Sequence, residues 1–232
     1  MKLLALETST IACSVALARG AAVYEQHEVK PREHTRLLVP MIRRVLADAG
    51  IEAGELDAVV LGNGPGSFIG MRIAGSVAQG LAFGSRRGIV ALSSLAAIAA
   101  EVFDTTAVDR VMVAQDAHMN EVYLARYARG SDDLPLAEGE TVLQPASRID
   151  ASEWQHTTYA AAGAGWQRYP ELLEVNAGLV PEFIEVALPR ARYLLPMARA
   201  ALRTAAPSDP AALVPDYVRH KVASPPGGKD GS

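Results

Sequence analysis

An uncharged run, Ala58-Val59-Val60-Leu61, passes directly into Gly62-Asn63-Gly64-Pro65-Gly66-Ser67-Phe68-Ile69-Gly70, and a helical pattern resumes at Met71. Few architectures accommodate that order. A strand without charge is buried on both faces when helices cover it, and strand, glycine-rich turn and helix together form half of a parallel crossover unit. Glycines at such a turn let the backbone reverse tightly and present free N–H groups at the helix start, which suits an anion. No Gly-Lys-Ser/Thr closes the run, so it is not a Walker loop, and its GxGxxxG spacing departs from the dinucleotide fingerprint. Phosphate binding through Gly64, Gly66 and Ser67 therefore stands beside a purely structural turn or contact surface. Arg72, one turn into the helix, either helps hold the anion or is an ordinary solvated arginine.

Ahead of this unit, Leu3–Leu6, Ala12–Leu17 and Ala21–Val29 read as three strands in a row. Their links, Glu7-Thr8-Ser9-Thr10 and Arg19-Gly20, are short, so an antiparallel meander is expected. His34, Leu37, Leu38, Met41, Ile42, Val45 and Leu46 then recur at the three-and-four spacing of one helix face, which stops at Gly50. Ile89–Leu92 supplies the next strand, with Ser93 or Ser94 capping a helix through Leu95, Ile98 and Val102. The strand pattern restarts at Arg110–Ala114, leads to Asp116–Asn120, and Glu121–Arg129 alternates as a partner strand. A boundary near Phe103 thus divides a lobe over 1–103 from a second over 104–223. In the second lobe Tyr159–Ala164 reads as a strand, Pro189–Ala205 as a helix and Leu213–Val218 as a terminal strand or arm. The run Ser224–Ser232, rich in Pro, Gly and charge, is expected to be disordered. No internal repeat at a solenoid period is visible, although both halves open with paired strands.

Composition narrows the function classes. The 232 residues correspond to about one and a half typical domains. With 50% apolar and 21% charged residues the chain buries a real core. A formal charge of −4 leaves no basic stripe able to neutralise many phosphates, so any contact with RNA is expected to be shared with a partner. Arg43-Arg44, Arg86-Arg87 and Arg219-His220-Lys221 are the small basic groups available, and such groups usually mark a solvated face. A single cysteine, Cys13, excludes an internal disulfide and a cysteine-based zinc site and points to a reducing compartment, the cytoplasm. The apolar start Met1–Leu6 imitates a secretion signal, but Glu7, Thr8, Ser9 and Thr10 interrupt it. No stretch reaches the roughly 18 residues of a membrane span, so a soluble protein is expected.

Few residues offer chemistry. Glu7-Thr8-Ser9 presents a carboxylate followed by hydroxyls, the side chains that hold a nucleotide-bound cation or a phosphate; the alternative is a polar hairpin lacking the glycine that close approach of a phosphate favours. Asp116 with His118 suggests acid–base work or, alternatively, a strand-end turn. A metal at His34 would want a second histidine at position 38, which is Leu38, and His27, His118, His156 and His220 are scattered; no metal site is expected. No Gly-x-Ser-x-Gly elbow exists and Cys13 lies in an apolar strand, so neither a nucleophile nor a peptidase centre is visible. The Leu37-Leu38-Met41-Ile42-Val45 stripe packs on its own sheet or faces a partner in part, and Met41, Phe68 and Met71 have the adaptable side chains of a protein interface.

Taken in order, ETSTIACSVAL from Glu7, PREHTRLLVPMI from Pro31, GNGPGSFIGMRIAGSVAQGLA from Gly62, ALSSL from Ala91, VMVAQDAHMNEVYLARY from Val111, GAGW from Gly163 and VPDYVRHKVA from Val214 resemble the bacterial TsaB (YeaZ) family. The resemblance covers nearly the whole chain and is most specific in the GPGSFxGxRI stretch. It implies a two-lobed α/β fold of the acetate kinase, sugar kinase, heat-shock protein and actin (ASKHA) class, each lobe a mixed sheet with helices. It also implies a part in transferring the threonylcarbamoyl group from threonylcarbamoyl-AMP to N6 of adenosine 37 in tRNAs that read codons beginning with A. The family member is there a non-catalytic dimerisation platform for its catalytic paralogue TsaD, with the ATPase TsaE as third component, and a homodimer when free. No cofactor is implied as firmly bound, with room for ATP or ADP at the shared interface. By resemblance, His34, Leu37, Leu38, Met41, Ile42, Val45, Phe68, Met71 and Arg72 form the partner surface, and Leu38→Glu or Met71→Glu is expected to break the complex while leaving the chain folded. Three positions depart from the usual pattern: Ile69 for threonine, Glu7 for aspartate and Ala74 for glycine. These weaken nucleotide binding by Glu7, Thr8, Ser9, Gly64, Gly66 and Ser67. The competing expectation is an ATP-using phosphotransferase of the same fold built on those residues and Asp116.

Overall fold

The computed structural model describes residues 1–150, 157–214, 216 and 218. His156, Arg219, His220, Lys221 and the run 224–232 lie outside the described residues, as do two positions of the expected terminal arm 213–218.

The meander expected at the start forms as β1 (Lys2–Glu7), β2 (Ala12–Arg19) and β3 (Ala22–Val29). Helix α1 (His34–Ala49) follows, then β4 (Ala58–Gly62), α2 (Phe68–Ser85), β5 (Ile89–Leu92) and α3 (Ser94–Thr105). β1 pairs antiparallel with β2 and parallel with β4, which gives a five-stranded sheet in the order β3-β2-β1-β4-β5. The second sheet contains β6 (Arg110–Asp116), β7 (Glu121–Arg129), β8 (Pro135–Ala137), β9 (Val142–Pro145), β10 (Ala160–Ala162) and β11 (Glu182–Phe183). Its order is β11-β10-β6-β7-β8, with β9 also on β7. Read from β8, this repeats the first sheet: an antiparallel set around the opening strand, then two parallel strands on its other side. The two lobes therefore share one topology.

Strand alternation sorts the cores. Leu4 and Leu6 of β1 face α1 and α2, while Leu3 and Ala5 face the opposite way. Val111 and Val113 of β6 face the same interior as Leu3, and Met112 and Ala114 face α4 (Ala164–Arg168) and α5 (Pro170–Val175). α3 and α6 (Leu194–Ala201) lie in the layer between the sheets. This common layer explains why α3 runs past the boundary expected near Phe103, which is itself buried in that core.

Three expected elements differ in extent. α2 begins at Phe68 rather than Met71, because the Ser67 hydroxyl accepts from the Gly70 N–H and caps it there. The helix expected over Pro189–Ala205 is a 3₁₀ turn, Ala191–Tyr193, followed by α6, whose first turn holds Pro196, where the missing N–H costs no helical hydrogen bond. No strand forms at Leu213 or Val214. Instead this part of the chain returns to the first lobe: Ala191 N–H donates to Ser14 Oγ (2.9 Å), Ser208 bridges Ile89, and Asn63 Nδ2 donates to the Val214 carbonyl (2.9 Å).

Candidate functional site

Glu7, at the end of β1, is buried and accepts from the Ser9 N–H and from Ser94 Oγ at the start of α3. Burial pushes its carboxyl above the usual carboxylate range, and the hydrogen bonds from Ser9 and Ser94 only partly offset this. Thr8 Oγ1 donates to the Gly70 carbonyl (2.7 Å), and Ser67 N–H donates to the Ser9 carbonyl (2.6 Å). The β1–β2 turn is thereby stitched to the loop before α2. Close approach is what the glycines supply there: a Cβ on Gly66 would strike the Ser9 carbonyl, and one on Gly70 the Thr8 carbonyl.

The structure thus brings together Glu7, Thr8, Ser9, Gly64, Gly66 and Ser67, but bonded to one another. Gly64 N–H is taken by Ser94 Oγ (3.1 Å), Ser67 N–H by Ser9 and Gly70 N–H by Ser67 Oγ (3.1 Å). Those N–H groups are engaged within the fold, whereas the buried Ser9 Oγ has no hydrogen-bond partner among the described residues.

Asp116 ends β6 and holds the β6–β7 turn. It accepts from His118 N–H (2.9 Å) and Tyr169 OH (3.0 Å), and its other oxygen lies 3.4 Å from His118 Nδ1. His118, Met119 and Asn120 all take left-handed backbone angles. The pair is a strand-end turn, with His118 turned outward. Among the described residues no group of three His, Cys, Asp or Glu side chains is placed to hold a metal ion.

The expected partner stripe on α1 is mostly core. Leu38 is 1% exposed, and Met41, Ile42 and Val45 are buried beside it against β1 and β2. His34 is buried too, its Nε2 shared between the carbonyls of Thr10 (2.9 Å) and Ala12 (3.1 Å). Met71 lies under the loop with its sulfur against Gly64. In the monomer these six residues are interior, as expected where the apolar stripe of an amphipathic helix covers its own sheet. Leu37 and Phe68 are half-buried, and Arg72 is exposed with its guanidinium 3.7 Å over the Phe68 ring.

The large apolar side chains that remain outward on these two helices are Val39 (41% exposed) on α1, and Ile69 (70%) at the start and Phe83 (83%) near the end of α2. Ile69 and Met119 (73%) also stand on either side of a cavity of about 290 Å³ between the lobes, lined by Phe68, Met71, Asp116 and Tyr123.

A family model described as TsaD, tRNA N6-adenosine threonylcarbamoyltransferase, matches residues 22–225. The Escherichia coli K12 "tRNA threonylcarbamoyladenosine biosynthesis protein TsaB" is 38% identical over 199 residues, 85% of this chain and 86% of that protein. The Haemophilus influenzae protein of the same name is 34% identical over 230 residues, 96% of this chain and 95% of its own. The chain belongs to the TsaB (YeaZ) family. A solved structure, "YeaZ from Pseudomonas aeruginosa", superposes with a TM-score of 0.85 at 35% identity, covering 93% of this chain and 99% of that one. The two-lobed α/β architecture expected from the sequence, a mixed sheet with helices in each lobe, is the one this chain shares with that structure. No helix among its described residues is long and apolar enough to cross a membrane.

Sequence reasoning missed Val39, Ile69 and Met119 as surface residues of this TsaB chain. A usable signal existed: Val39 falls off the α1 stripe, and an apolar residue outside the buried stripe has no core to explain it.

Proposed function

We propose that this chain acts in threonylcarbamoyl modification of tRNA as a non-catalytic partner that docks onto the catalytic paralogue TsaD, with TsaE as the third component, and that pairs with itself when free. The observation that supports the reading is the closure of the β1–β2 turn onto the Gly64–Gly70 loop, which engages the Thr8 hydroxyl and the Gly64 and Ser67 N–H groups within the fold. Family membership supplies the pathway.

The docking face in this reading is the outer side of α1 and the start of α2: Val39, Leu37, Phe68, Ile69 and Arg72. Exposed Val39 and Ile69 give it apolar anchors, and the Arg72–Phe68 stack gives a rigid aromatic–cation element of the type enriched at interfaces. Nothing on that face is buried at the expense of the lobe's own core.

Reconstituted transfer to tRNA tests the proposal. The chain alone should yield no product, TsaD with TsaE should yield none or little, and all three together should yield modified tRNA. Product from this chain alone would remove the non-catalytic reading. Calorimetry with ATP distinguishes the phosphotransferase alternative, which requires binding by the isolated chain that Glu7→Ala weakens.

A further inference from the structure

Helix α2 ends on Arg86 in a left-handed conformation (φ 56°, ψ 43°), whose N–H closes onto the carbonyls of Ala82 and Phe83. Glycine fills such a position without strain, so an arginine there pays a conformational penalty that its side chain must justify. One turn earlier on the helix stands Phe83, 83% exposed and the most exposed large apolar side chain among the described residues. Arg87 follows, also exposed. Neither Arg86 nor Arg87 pairs with a carboxylate among the described residues.

These three side chains, with Ala82 and Pro210, line an open depression of about 480 Å³. Its far wall is fixed. Gln79 Nε2 donates to the Pro210 carbonyl (2.9 Å), and the Ser208–Ile89 bridge anchors the chain just before it. Asp209, the acid next to Pro210 in sequence, is turned onto the Ala211 N–H (2.9 Å). The depression therefore offers a flat aromatic face, a proline wall and two uncommitted guanidiniums. That set complements a nucleotide within a strand: a base has a face to stack, and its flanking phosphates take the arginines. A protein partner fits less well, because the single ring is flanked by two cations and by Gly80 and Gly84, which carry no side chain to extend an apolar patch.

We propose that Phe83, Arg86, Arg87 and Pro210 form a binding site for single-stranded RNA, one base stacking on Phe83 while Arg86 and Arg87 hold the neighbouring phosphates. The proposal rests on the tRNA-modification reading above, in which RNA is the macromolecule the assembled complex must hold. A chain with a formal charge of −4 gains little from this site alone, so it adds to contacts made by the partner.

The test is the affinity of the full chain, alone and assembled with TsaD, for unmodified tRNA, for a short single-stranded RNA and for duplex RNA, read by fluorescence anisotropy at fixed salt. Arg86→Gly keeps the helix cap in a conformation glycine prefers, so the variant stays folded while losing one guanidinium. Phe83→Ala should weaken tRNA and single-strand binding about 10-fold, and Phe83→Tyr should restore it to within about 2-fold. Arg86→Gly should weaken binding about 3- to 10-fold and flatten its salt dependence by about one phosphate contact. Unchanged affinity in Phe83→Ala and Arg86→Gly overturns the site. So does loss of the TsaD complex in Phe83→Ala on size-exclusion chromatography, which would make this face a protein interface. If TsaD fails to bind at all while short single-stranded RNA still binds the chain in a Phe83-dependent way, the functional reading falls and the site stands.

Discussion

The Ser94 hydroxyl donates to the buried carboxylate of Glu7 across 2.6 Å, tying the first turn of α3 to the last residue of β1. Ser94 Oγ also accepts from Gly64 N–H, so one buried hydroxyl joins three segments of the first lobe. The burial of this acid favours its protonated form.

That relationship fixes the sign of a pH dependence. The folded-state pKa of Glu7 lies above its unfolded value, so its contribution is complete below the ordinary glutamate range and is lost as pH rises through the raised folded value. Glu7→Gln removes this titration and keeps an acceptor for the Ser9 N–H, while its NH2 group reverses the Ser94 bond, so that Ser94 Oγ accepts. Urea unfolding from about pH 4.5 to about pH 8 should therefore show a smaller loss of stability in Glu7→Gln than in the parent chain. Identical pH slopes would refute the buried-acid description.

Gly70 is the tightest point of the weld between the β1–β2 turn and the α2 loop. A methyl group there meets the Thr8 backbone oxygen, which has no rotamer through which to escape. Gly70→Ala should cost about 1–3 kcal/mol as an overpacking substitution, or roughly 3–10 °C in Tm for a chain of this size. Gly80→Ala, where nothing lies within 4 Å, is the matched control and should hold or slightly raise Tm. A Gly70→Ala variant as stable as that control would show that the two loops part readily.

Period and length decided what was legible in the sequence. β1 through α3 are long enough to display alternation or the helix stripe, and each formed within a few residues of its expected place. β8 and β11 have three and two residues, and α4 and α5 five and six, too short for either period to declare itself, while the strand expected over Tyr159–Ala164 formed only as the three residues of β10. The shared topology of the lobes was hidden for the same reason: β10 and β11 correspond to β4 and β5 only through strand order. At the candidate site, residue types were readable and their facing was not. Leu38 and Val39 are adjacent apolar residues with opposite fates; the stripe separates them, but whether that stripe faces the sheet or a partner is set by the tertiary packing.

Those opposite fates separate interface from core experimentally. Val39→Glu and Ile69→Glu should each weaken assembly with TsaD by about 10-fold or more while leaving Tm within a few degrees, because both side chains already face water. Leu38→Ala should instead cost about 2–5 kcal/mol in the isolated chain, and Leu38→Glu should fail to fold, because the side chain sits in the sheet–helix core. Pull-down and thermal melts on the same samples give both readings. Folded Val39→Glu and Ile69→Glu variants that assemble normally would move the docking face elsewhere.

Cys13 provides a probe of whether α1 stays seated when the partner binds. Its thiol is buried in the same cluster as Leu38, Met41 and Val45, and burial, reinforced by the charges of Glu7 and Glu28, pushes its pKa up to about 12. Thiolate is the reactive form, so the native chain should react with a disulfide reagent at least about a thousandfold more slowly than the urea-unfolded chain at about pH 8. If docking uses the outer face of α1 with the helix in place, saturating TsaD should slow this labelling or leave it unchanged. Faster labelling in the complex would mean that α1 lifts from the sheet and offers Leu38 and Met41 to the partner, which the monomer's packing opposes by burying both against β1 and β2.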